Sequence, residues 1–180
     1  MTEFDAMMRW WAEREVIVPS GDADTTIAWL STQTPDVWHC VAATWNYDSG
    51  DRVIAWILAQ PECDQGTAAR IFYALGDSNW LWEVVAQSEL AQDESHLCHV
   101  ILQNWDGYAK TGLKRDWTFS ESLMDKMNAA GKAGVLGHPA LWAILNYEGH
   151  GEPESIYQSD DGKVVHSLAF WAAQNGIVID

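Results

Sequence analysis

Between Asp51 and Gln60 the sequence reads DRVIAWILAQ, with Val53, Ile54, Ala55, Trp56, Ile57 and Leu58 in unbroken succession. A helix of that composition has no polar face, and such a helix is stable only when other elements surround it. Pro61 follows and ends it. The chain must therefore supply neighbours, and the spacing predicts helices over about 36–45 and 64–75 packed on a central helix at about 51–60.

Apolar residues recur at helical intervals along most of the chain. Phe4, Met7, Met8 and Trp11 form one set, and Trp38, Val41, Ala42 and Trp45 another. Ala68, Ile71, Phe72 and Leu75 form a third, Leu97, Val100, Ile101 and Asn104, with Trp105 beside them, a fourth, and Leu123, Met127 and Ala130 a fifth. Start signals accompany several of them. Thr2 has Asp5 three residues on, an approximate capping box. Thr34-Pro35-Asp36 puts proline at a first helical position. Asp64 stands where an N-cap would, before QGTAARIFYAL, and Gly76 is a natural stop. The segment 79–104 divides near Gln92-Asp93-Glu94 into two helices.

Beyond residue 105 the composition loosens. NWDGYAKTGLKRDWTFSES, AAGKAGVLGHP and EGHGEPES read as loops between shorter helices. SIYQSDDGKVVHSL reads either as a hairpin with Asp161-Gly162 in its turn or as a loop leading into a helix from about 164 to 174. No sustained strand alternation precedes residue 150. The expected fold is mainly α: a compact multi-helix domain of about seven to nine helices, with a short β-hairpin near 155–166 as an open element. Three regions are expected: N-terminal helices over 1–34, a helical core domain over 35–117, and a C-terminal helical extension over 118–180 packed on the core.

The formal net charge is −16, with 26 carboxylates against ten Lys and Arg. The acid is spread, with one basic island around Lys114, Arg115, Lys126 and Lys132. Phosphate contact needs a cationic face, so a nucleic-acid partner is not expected. Anionic membranes are disfavoured on the same ground. A basic protein partner is favoured, because opposite fields speed encounter. No apolar run approaches the roughly 18 residues that span a bilayer. The N-terminal stretch carries Glu3 and Asp5 where a signal peptide would be basic. A cytoplasmic location is expected, and three scattered cysteines, Cys40, Cys63 and Cys98, fit no disulfide framework.

Twelve tryptophans are many for 180 residues. Each brings a large apolar surface and one N–H to satisfy, and tryptophan is enriched at interface hot spots. Trp10-Trp11, Trp80 and Trp82 are neighbours that must point different ways, so Trp10 and Trp82 are candidate exposed anchors. Asp22, Asp24, Glu152, Glu154, Asp160 and Asp161 are the candidate partner-binding carboxylates.

Catalytic and metal chemistry finds little footing. HLCH offers His96, Cys98 and His99, but no second pair at ligand spacing completes a zinc set. NYDSGD supplies Asn46, Asp48 and Asp51, but a calcium loop needs glycine sixth and glutamate twelfth, where Asp51 and Ile57 stand. The turn reading is simpler: Asn46 and Asp48 close a turn, and Asp48 or Ser49 caps the next helix. Cys63, just before a helix start, is the best reactive-thiol candidate, since a helix dipole stabilises a thiolate. No nucleophile elbow, phosphate loop or zinc-protease motif occurs. No enzyme activity, cofactor or metal is expected.

The stretch 36–76 carries a denser pattern. His39, then Asn46-Tyr47-Asp48 and Gly50, then Trp56-Ile57, Pro61, Cys63-Asp64, Gly66-Thr67-Ala68 and Phe72 resemble the bacterial family catalogued as domain of unknown function 4274. The likeness continues weakly through ILQNWDGYAKTGLKRDW. It implies a helical domain with no catalytic residues to carry over, so His39, Asn46, Asp48, Gly50, Trp56, Cys63, Asp64, Gly66, Thr67 and Phe72 are expected to be structural. It also implies a context: such small acidic proteins are often encoded beside secreted toxins, including type VI effectors, and look like their immunity partners.

The expected function is therefore an immunity protein that binds a cognate, basic toxin acting in the cytoplasm on nucleic acid or nucleotides. The alternatives are a hydrolase using Cys63 and a scaffold that self-associates through exposed aromatics.

Overall fold

The computed structural model describes residues 5, 6, 8, 9, 16–19, 21–47, 50–76, 97–113, 139–151, 155–158, 163–166, 172 and 176. Among these, six helices and three short strands are bounded. The helices are α1 (Ala23–Leu30), α2 (Pro35–Thr44), α3 (Arg52–Leu58), α4 (Gln65–Gly76), α5 (Leu97–Asn104) and α6 (Pro139–Leu145). A single 3₁₀ turn, Trp105–Gly107, continues α5. The protein is mainly helical. The helices expected in the first half of 79–104 and near 123–130 lie outside the described residues.

Local signals account for most boundaries. Thr34 is the N-cap of α2 and Pro35 opens it, as its fixed φ favours. The Asp22 carboxylate caps α1 by accepting the Thr25 N–H at 2.9 Å. The N-cap of α3 is Asp51, without a side-chain cap bond, rather than Asp48 or Ser49. Gly50 precedes it at φ +98°, a left-handed conformation that favours glycine.

The centre of the fold is α4, not α3. Helix α3 buries Val53, Ile54, Ile57 and Leu58, but Arg52 and Ala55 are exposed and Trp56 is only half-buried. In α4 every residue from Gln65 to Tyr73 is buried. It packs against α2 and α5, while α3 packs against α1, α2 and α5. Polar α4 residues hid this role from the apolar pattern, because their side chains are bonded inside the protein. Around α4 the core gathers Val37, Trp38 and Val41 from α2, Ile101 from α5, and Leu141, Ile144 and Leu145 from α6.

A small sheet has the order β1-β3-β2. Its strands are β1 (Val16–Ile17), β2 (Ser155–Gln158) and β3 (Lys163–His166). Both pairings are antiparallel, with Val16 opposite Val164 and Ser155 opposite His166. Strand β2 lies against α2. The pairing of 155–158 with 163–166 falls where the sequence left hairpin and loop open, and residues 159–162 lie outside the described set. At 163–166 the chain is strand rather than helix. Strand β1 was not foreseen, since two residues are too short to show alternation.

Candidate functional site

The densest polar arrangement among the described residues surrounds the N-terminus of α4. Asp64 is 1% exposed, and both of its carboxylate oxygens are engaged. Oδ1 accepts the Gly66 N–H at 2.7 Å. Oδ2 accepts both the N–H and the Oγ1–H of Thr111, each at 2.7 Å. A buried carboxylate is tolerated when donors replace its lost water, and three donors do so here.

Backbone bonds reinforce this clamp. The Ala109 N–H donates to the Cys63 carbonyl and the Gln65 N–H to the Ala109 carbonyl, both at 2.8 Å. Gln65 Nε2 donates to the Trp105 carbonyl at 3.0 Å. The strap 108–113 is thus laid across the start of α4. Gly66 makes room for it, because a Cβ there would overlap the Leu113 carbonyl. Gly149 flanks the same carbonyl, and a Cβ there would overlap it too.

The strap also holds the segment after α6. The Gly112 carbonyl accepts the N–H groups of His150 and Gly151 at 2.8 Å. The Tyr147 hydroxyl donates to the Leu113 carbonyl at 3.0 Å. Deeper in, the Tyr73 hydroxyl donates to the Leu145 carbonyl at 3.0 Å. One carboxylate therefore sits at the junction of α4, the strap and the chain around 145–151.

The other motif residues are also tied into packing. His39, 2% exposed, meets Thr67 Oγ1 through Nδ1 at 3.0 Å, joining α2 to α4. Arg70 donates to the Ala43 carbonyl at 3.0 Å. Trp56 packs edge-on to Trp38 with centroids 5.6 Å apart, and Trp38 Nε1 donates to the Leu30 carbonyl at 2.8 Å. Phe72 is buried in the core. Asn46 is exposed in the turn after α2, and the Gly50 carbonyl accepts Trp45 Nε1 at 3.2 Å. Asp48 lies outside the described residues.

Cys63 differs from the reactive thiol its position suggests. Burial, with the Asp64 carboxylate second, pushes its pKa up to about 12. Its Sγ–H points to the Asp64 carbonyl at 3.8 Å. Cys40 and Cys98 are likewise buried, and burial raises each to about 12. Such thiols are protonated at neutral pH. Among the described residues no group of three or more His, Cys, Asp or Glu is placed to hold a metal ion.

Of the candidate partner-binding carboxylates, Asp22 and Asp24 are described, and both are exposed. Asp22 is held below the usual carboxylate range, first by the Thr25 backbone N–H and then by its hydroxyl. Asp24 forms an ion pair with Arg52. Glu152, Glu154, Asp160, Asp161, Trp10 and Trp82 lie outside the described residues. Exposed carboxylates outside the partner-binding candidates include Asp51, Glu62, Asp106 and Glu148, none in a salt bridge among the described residues. Thr111, Gln65 and Tyr147 were also missed, since each acts on a partner far along the chain.

Among the described residues, His39, Asp64 and Thr67 are thus hydrogen-bonded within the helical domain. Residues 33–106 match the family model described as Domain of unknown function (DUF4274). No curated protein and no solved structure matches the chain. No helix among the described residues is long and apolar enough to cross a membrane.

Proposed function

We propose that this chain is a binding protein of the immunity type, which neutralises a cognate, basic toxin acting in the cytoplasm. The toxin class is a nuclease or another nucleotide-directed effector, delivered by a type VI or similar secretion route. The observation that carries the reading is the contrast between interior and surface. The motif residues His39, Asp64 and Thr67 are bonded inside the protein, while Asp51, Glu62, Asp106 and Glu148 stand exposed on a chain of net charge −16. Such a field attracts a cationic protein and repels nucleic acid. It also mimics the polyanion that a nuclease cleft accepts.

On this reading the protein works in the cytoplasm as a seven- to nine-helix body without turnover chemistry. The test is co-expression with the product of the adjacent gene. Restored growth and a co-purifying complex are expected. Unrelieved toxicity together with no complex would dismiss the proposal.

A further inference from the structure

We draw no further inference here: the strongest candidate, the cluster of exposed carboxylates Asp22, Asp24 and Asp51 at the starts of α1 and α3, already holds Arg52 through the Asp24 ion pair, and nothing in the structure shows what else would bind it.

Discussion

Asp64 and Thr111 are 47 residues apart in sequence, yet a single carboxylate oxygen of the first accepts both the backbone N–H and the hydroxyl of the second. The other oxygen caps α4 through Gly66. A helix start and a distant strap are thereby closed by one side chain. Asp64→Ala would leave three donors without their acceptor, the buried Gly66 N–H and the two part-buried donors of Thr111. The expected loss is about 2–4 kcal/mol, read as a lower denaturant midpoint with an unchanged m-value. Thr111→Val removes only the hydroxyl bond and should cost about 1 kcal/mol.

Gly66→Ala sets two effects against each other. Alanine favours a helix over glycine by roughly 1 kcal/mol. Its Cβ, however, would meet the Leu113 carbonyl, which is backbone and cannot rotate aside. Displacing the strap also strains the Asp64–Thr111 bonds. Overpacking of this kind costs about 1–3 kcal/mol, so net destabilisation is expected, and thermal unfolding would show it. A more stable variant would mean the strap yields freely.

Thiol chemistry offers a pH test. Cys40, Cys63 and Cys98 are raised to about 12, so at pH 8 about one in ten thousand of each is thiolate. A thiol reagent should therefore label the native protein only as fast as it opens, and all three sites together on unfolding. For an acid whose folded pKa is raised, the stabilising contribution is complete below the unfolded value of 9.0. It is lost as pH climbs from there toward about 12. Alkaline destabilisation in that window is expected. Rapid stoichiometric labelling of native Cys63 would contradict the burial.

Asp22 titrates in the opposite sense. Its folded pKa is lowered from 3.8 by the Thr25 donors, so its contribution is present above that value and lost as pH falls through the depressed one. Asp22→Ala should lower the melting temperature at neutral pH, and the gap to wild type should narrow in acid. Asp22→Asn, which caps almost as well, should sit close to wild type at both.

Cutting the chain after residue 117 keeps the whole family match, which spans 33–106. It also uncovers the core beneath Leu141, Ile144 and Leu145 and strands the Tyr73 hydroxyl. The shortened chain is expected to lose cooperative unfolding and bind a hydrophobic dye. A sharp native-like transition would show that the segment around 139–151 is dispensable.

Much of this organisation could be read before any coordinates. Proline at the first position of α2, the capping aspartate before α4 and the helical spacing through both are local signals that tertiary contacts did not overturn. The rank of α3 and α4 was not legible. Gln65, Thr67 and Arg70 look like a solvent face until their partners at Trp105, His39 and Ala43 are known. Cys63 misled for a related reason: a helix start suggests an activated thiolate, but burial beside a carboxylate dominates.

The pairing of Val16 with Val164 has a temporal consequence. A ribosome delivers residue 16 long before residue 164, so β1 must wait without its hydrogen-bonding mate through most of synthesis. The helices around α4 can assemble during that interval, whereas the sheet can close only late. In a refolding experiment, amides of β1 and β3 should gain protection together, after those of α2 and α4.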